Sequence, residues 1–314
     1  MIPRIHPGTH LHVRQPAVRF RAAMNYVTTI VARREAITLT PAIINHIRNA
    51  LRGAPPVILS PGEAVDIPLS TPPGPELLVA ALEGKPIDAI TVKTRARRKA
   101  LLLADMDSTI VTGETLDELA HFAGIGETIA AITARAMRGE LDFKQALRER
   151  VAMLKGLNLD ALEKTWARIQ LTQGARELVA TMRAKGALTA LISGGFSFFT
   201  GRVAAQLGFD AHRSNTLLDD GVALTGMVGE PIIDRDSKLA ALNELAAQRG
   251  VKLSATLAVG DGANDLDMIR AAGLGVAFHA KPIVAAEARA RVDHADLRAL
   301  LFAQGYPASE FAGV

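Results

Sequence analysis

The sequence predicts an α/β fold: a Rossmann-like, doubly wound parallel sheet with a helical insert after its first strand and a small α/β unit in front. Three observations predict it. From Lys99 onward, short apolar runs at 100–105, 187–192, 255–260 and 274–278 alternate with helical segments, as buried parallel strands do. Between Thr115 and Gly174 there is no strand pattern, only apolar spacing near ~3.6 residues over 115–123, 126–138, 142–154 and 159–168. Residues 26–93 alternate strand and helix on a smaller scale.

Taken in order, residues 1–25 open the chain as an arm expected to be disordered. The arm is Arg-rich (Arg4, Arg14, Arg19, Arg21), free of acids as far as Met24, and lacks the apolar stretch of a signal peptide. Translation from Met24 would remove nearly all of it. The β-branched run 26–33 reads as a strand. Residues 40–51 read as a helix, with Thr40 as N-cap and Pro41 in the first position. Two short strands are expected around Pro61-Gly62, then a helix at 75–82 and a strand at 87–92. The unit's order of elements resembles the ACT type of small-molecule-binding domain in degenerate form, and it looks short of a strand. Lys93–Lys99 is a basic run that reads as a solvated linker. The core, expected over residues 99–300, follows, with the helical insert at about 115–174 as a cap. Short strands near 211–218 and 222–228 suggest a hairpin around Asp219-Asp220-Gly221.

Composition narrows the function. The 314 residues carry 36 Lys and Arg against 32 Asp and Glu, a formal charge of +4. A pI of 9.5 could suggest nucleic acid. The excess, however, lies largely in the arm and the basic run, and aromatics for base stacking are only 4%. No nucleic-acid partner is expected. The absence of cysteine excludes disulfides and thiolate chemistry and agrees with a cytoplasmic setting. No apolar run reaches the ~18 residues of a membrane span.

The chemistry sits in four elements: Asp105-Met106-Asp107-Ser108-Thr109, Ser193-Gly194-Gly195, Lys238, and Gly260-Asp261-Gly262-Ala263-Asn264-Asp265. Three of them end apolar strands, where ligands of open α/β sheets sit. A carboxylate there can attack phosphorus while a second carboxyl serves as acid and base. Each element also has a plain explanation. The first could be an Asx-turn, Ser193 a helix N-cap, Lys238 a surface lysine, and Asp261 and Asp265 turn residues beside glycine. The four together, in this order, favour phosphate chemistry.

The set resembles the four motifs of the haloacid dehalogenase superfamily. The resemblance covers about residues 99–300. It implies Asp105 as nucleophile, Asp107 as acid and base, and Lys238 as the lysine that offsets charge. It implies Mg²⁺ held by Asp105, Asp261 and the backbone carbonyl of Asp107, with Asp265 in support. Phosphate oxygens would meet Ser193, Gly194, Lys238 and Asn264. Dehalogenases and P-type ATPases of the superfamily lack an acid two residues after the nucleophile, so Asp107 favours a phosphatase.

The cap resembles that of the phosphoserine phosphatase family. The resemblance places the substrate ammonium on Glu114 and its carboxylate on Arg150, with Met137 and Phe143 excluding water. An ordinary charged network around Arg148, Glu149 and Arg150 is the alternative. O-phosphoserine is thus the expected substrate. Other small phosphomonoesters, phosphate transfer to a second alcohol, an idle binding protein and a homodimer stay open. All four motifs lie beyond the basic run, so catalysis is expected to stay largely intact on removal of residues 1–93 where the shortened protein stays soluble.

Overall fold

The computed structural model describes residues 23–313, apart from residues 138–139 and the side chains of 134, 136 and 137. The expected arm therefore lies almost wholly outside the described residues.

The N-terminal unit comprises β1 (Tyr26–Ala32), α1 (Pro41–Ala50), β2 (Val57–Ser60), β3 (Ala64–Leu69), α2 (Pro75–Leu82) and β4 (Ile87–Lys93). Thr40 caps α1 through its side chain, and Pro41 occupies the first turn. The strands form an antiparallel sheet in the order β2-β3-β1-β4. No strand is missing: the βαββαβ order is complete, which corrects the expectation of a shortened unit. Strand alternation gives this sheet two buried faces. Ile30 and Ile67 pack with Ile44 and Ile47 of α1. Val31 and Ile90 instead join the large core that follows.

That core is a six-stranded sheet. It begins with β5 (Leu101–Ala104) and passes through the cap helices α3 (Thr115–Ala123), α4 (Gly126–Met137), α5 (Phe143–Ala152) and α6 (Asp160–Trp166). It continues with α7 (Ala175–Ala184), β6 (Leu188–Phe196), α8 (Ser197–Leu207), β7 (Ala211–Asn215), β8 (Leu217–Asp219), β9 (Leu224–Val228) and α9 (Arg235–Arg249). Then come β10 (Thr256–Gly260), α10 (Leu266–Ala271), β11 (Leu274–Phe278), α11 (Pro282–Glu287), β12 (Ala290–Val292) and α12 (Ala299–Ala303). The strands are parallel in the order β12-β11-β10-β5-β6-β7. Connections run outward from β5 through β6 to β7, then return to β10 on its other side. Position β5 is thus the switch point where a crevice opens at the carboxyl edge.

Two local expectations change. Residues 211–218 do not form one hairpin arm: β7 joins the parallel sheet, and only β8 pairs with β9. The shorter hairpin also bonds to the cap, with Gly156 N–H donating to Leu224 O and Leu224 N–H to Leu157 O. The cap leaves and re-enters the core through a two-arm hinge. Thr112 N–H donates to Gln170 O, and Thr172 N–H to Ile110 O.

The basic run is not solvated throughout. Arg97 reaches inward between the two units, 14% exposed at its side chain. Its guanidinium grips Asp66 of β3 at 2.5 and 2.7 Å and donates to the carbonyls of Phe302 and Ala303. Glu63 pairs with Arg298, and the buried carboxylate of Asp88 accepts N–H groups from Asp293, His294 and Ala295. Between these anchors, fully buried α12 packs on β1 and β4. The N-terminal sheet is therefore a wall of the catalytic body. Removal of residues 1–93 would expose α12, leave Arg97 without Asp66 and cost Arg298 one of its two acids, Glu63, so it bears on the stability of the shortened chain.

Arg97→Ala should therefore lower unfolding free energy by about 3–5 kcal/mol, the usual cost of orphaning a buried partner. Urea denaturation measures it. A loss under about 1 kcal/mol, as for an exposed pair, would show that the wall is not needed.

Candidate active site

Strands β5, β6 and β10 are adjacent and parallel, so their carboxyl ends bring Asp105, Ser193 and Asp261 to one crevice. The chain turns sharply after Asp105. Met106 O accepts from Val111 N–H, and Ser108 takes a left-handed conformation at φ 53°. This wraps the turn so that Asp105 and Asp107 both face the crevice while Ser108 Oγ donates to Glu114 at 2.8 Å.

Asp105, Asp261 and Asp265 are buried with carboxylate oxygens within 4.8 Å of one another. One ammonium opposes them. Lys238 is fully buried, with Nζ 2.8 Å from Asp105 Oδ1 and 2.6 Å from Asp265 Oδ1. Burial alone would depress its pKa, yet the two carboxylates overcome that and raise it. Asp265 is fully engaged, its Oδ2 accepting from Gly262 N–H. Gly260 lies so close to this carboxylate that a Cβ there would stand 2.3 Å from its Cγ. Asp105 takes the Met106 N–H on the same Oδ1 that meets Lys238.

The cluster carries more negative charge than it balances. Burial, then Asp105 and Glu114, pushes Asp261 up to about 6, against the pull of Lys281 and Lys238. Burial and Asp105 push Asp265 up to about 7. Asp107 is pushed up to about 8 by burial, then by Glu114 and Asp105. Its carboxyl points away from the triad: Oδ1 accepts from Thr115 N–H and Oδ2 from Ser193 Oγ. Compact, hard oxygen donors in charge excess suit a divalent cation.

Ser193 Oγ accepts from Gly195 N–H at 2.8 Å. A Cβ on Gly195 would stand 2.6 Å from Asp107 Oδ2, so glycine is needed there for the loop to approach the acid. Phe143 of the cap lies over Gly194, its ring 3.3 Å from where a Cβ would be. Asn264 is half-buried beside Gly262. Arg150 is half-buried on α5, its Nε donating only to Ala146 O. Burial lowers its pKa, while Asp117 and Glu114 oppose that shift. Met137 ends α4, but its side chain lies outside the described residues.

Three polar residues escaped sequence reasoning. Thr109 is buried with Oγ1 3.4 Å from Asp261. Its place two residues after Asp107, in the first motif, was a usable signal. Thr115 holds Asp107 through its backbone, and Asn215 holds Gly194 O. Neither has a local sequence signature.

The model of the haloacid dehalogenase-like hydrolase family matches residues 102–270, more than half of the chain. The chain belongs to the haloacid dehalogenase-like hydrolases. Within this family it is similar to the phosphoserine phosphatase of Streptococcus thermophilus, 50% identical over 63% of this chain and 93% of that one. It is 44% identical to the phosphoserine phosphatase of Streptomyces coelicolor over 74% of this chain, though only 56% of the longer relative. A crystal structure of a probable phosphoserine phosphatase from Vibrio cholerae superposes with a TM-score of 0.75 at 34% identity, covering 91% of this chain and 88% of that one. No helix among the described residues is long and apolar enough to cross a membrane.

The raised carboxyls give a stability prediction. Protons bind Asp107, Asp261 and Asp265 more tightly in the folded chain than in the unfolded one. Their stabilising effect is therefore complete below the ordinary carboxylate pKa of about 4 and is lost as pH rises through 6 to 8. In chelator, Tm should fall between about pH 5 and about pH 9, and a divalent cation should raise Tm more at the upper end. An equal cation effect at both ends would place the cation elsewhere.

Proposed function

We propose that this hydrolase is a Mg²⁺-dependent phosphoserine phosphatase, cleaving O-phospho-L-serine to L-serine and phosphate in cytoplasmic serine synthesis. The observation that carries this reading is Arg150. On α5, Lys144 pairs with Asp234, Arg148 with Glu230 and Glu149 with Arg135. Among the described residues Arg150 alone of these charges has no ion pair, although it is half-buried. A partly desolvated guanidinium without a carboxylate is costly unless a ligand supplies one. Glu114, near enough to act on it electrostatically, offers the opposite charge for an ammonium. Paired cationic and anionic side chains beside a phosphate crevice suit the head of an amino acid.

The carboxylates of Asp105 and Asp261 and the Asp107 carbonyl, with Asp265 beside them, would hold Mg²⁺, which when bound would neutralise phosphate charge. Ser193, the Gly194 loop, Asn264 and Lys238 orient the phosphate. Lys238 and the Met106 N–H fix Asp105 through Oδ1, which leaves Oδ2 to attack phosphorus. As the Asp105–phosphorus bond forms, the bond to the seryl oxygen breaks, and Asp107 gives that oxygen its proton. A pKa near 8 keeps this carboxyl protonated at neutral pH. The resulting carboxylate then takes a proton from water as the water oxygen attacks phosphorus and frees Asp105. Phe143 of the cap, lying over Gly194, shields the phosphate subsite from bulk water.

The test is phosphate release from O-phosphoserine and from p-nitrophenyl phosphate, with Mg²⁺ and with chelator. Wild type should hydrolyse phosphoserine only with the metal. Arg150→Ala should cost phosphoserine about 2–5 kcal/mol, roughly thirty- to several-thousand-fold in kcat/KM, and the aryl ester much less. Equal losses on both esters would remove Arg150 from substrate recognition, and an inert wild type would overturn the function.

A further inference from the structure

The phosphate loop is a break in the sheet. The β6–β7 ladder pairs Ala190 with Ala211, Leu191 with His212 and Ile192 with Arg213, and next pairs Phe196 with Asn215. Strand β6 thus advances from Ile192 to Phe196 while β7 advances only from Arg213 to Asn215. Ser193-Gly194-Gly195 stand against Ser214 alone, a surplus of two residues at the carboxyl edge. A bulge frees backbone groups that must find partners when buried. The buried side chain of Asn215 supplies one, its Nδ2 donating to Gly194 O at 2.7 Å.

The other end of the same amide faces a different motif. Asn215 Oδ1 accepts from Ile233 N–H at 2.7 Å. Ile233 directly precedes Asp234, whose carboxylate caps α9 by accepting from Ser237 N–H and Oγ. The next residue is Lys238. The orientation of the amide is fixed by its partners, since a carbonyl can only accept and an N–H only donate. Aspartate lacks the donor, serine is too short for both contacts, and glutamine adds a methylene in a closed space.

We propose that Asn215 is a positioning residue: it holds the Gly194 loop and the Lys238 helix at one separation, so that both meet the same phosphate. It touches neither Glu114 nor Arg150, so its influence falls on the phosphate half of the site and not on the amino-acid half. This rests on the phosphatase function proposed above and extends it to how the phosphate subsite is kept in register.

The experiment uses full-length enzyme with Mg²⁺ and the variants Asn215→Asp and Asn215→Ser. Inhibition constants are measured for inorganic phosphate and for L-serine, with p-nitrophenyl phosphate as reporter. Phosphate inhibition should weaken by roughly ten- to a hundred-fold, as expected when a binding group is displaced by a fraction of an ångström. Inhibition by L-serine should change by less than about twofold, as for distant, independent sites. An unchanged phosphate constant overturns the proposal. So does an equal loss for both products, which marks a general structural role, or collapse of the fold in both variants, which makes Asn215 a folding residue. Wild-type turnover of phosphoserine separately decides the function, because the phosphate constant is read on the aryl ester.

Discussion

A single ammonium makes this site buildable. Three carboxylates, Asp105, Asp261 and Asp265, are buried together, and among the described residues Lys238 is the one ammonium in ion-pair contact with them. Burying like charges at this spacing is unfavourable unless cations or protons answer them. The lysine answers part, and the remaining excess shows in the raised pKa values of Asp261 and Asp265. The fold serves this balance. The parallel register of β5 and β10 sets how near Asp105 and Asp261 come, and α9, capped by Asp234, delivers Lys238 from the side. A divalent cation suits the remaining charge, and its binding there would link metal occupancy to stability.

On the proposed function, the body separates two recognition tasks. Groups suited to phosphate sit on the rigid sheet edge, in loops fixed by the strands. Groups suited to an amino-acid head sit on the cap, on α5 and just before α3. The antiparallel hinge at 110–112 and 170–172 and the bonds between the cap and the β8–β9 hairpin join the two. Chemistry can thus be kept while cap residues change specificity, a common division in folds that host many functions. The N-terminal sheet adds a third part, welded to the core through Arg97, Arg298 and Asp88.

The sequence made the chemistry legible wherever it requires neighbouring residues. Asp105 with Asp107, Ser193 with Gly194, and Asp261 with Asp265 lie within four residues of each other because one turn must present each pair. The sheet and cap were legible because burial imposes apolar periods of two and about 3.6 residues. Arg97 was misread because charged runs are usually solvated, and its partners Asp66 and Phe302 lie far away in the chain. Asn215 carries no local mark, as its meaning depends on a bulge in the neighbouring strand. The hairpin limits were misplaced because β7 and β8 are separated by Thr216 alone, so nothing in the run shows the change of sheet. Arg150 was singled out in the sequence by resemblance alone, and the physical reason came from the structure, where its charged neighbours are paired and it is not.

The central claim is that phosphate passes through Asp105. Rapid acid quenching during turnover of radiolabelled phosphoserine, followed by borohydride reduction and peptide mass spectrometry, tests it directly. An acyl phosphate on Asp105 would appear as homoserine at that position, in an amount that rises and decays with turnover. Label on Ser193, or no labelled enzyme while phosphate is being released, would contradict the account.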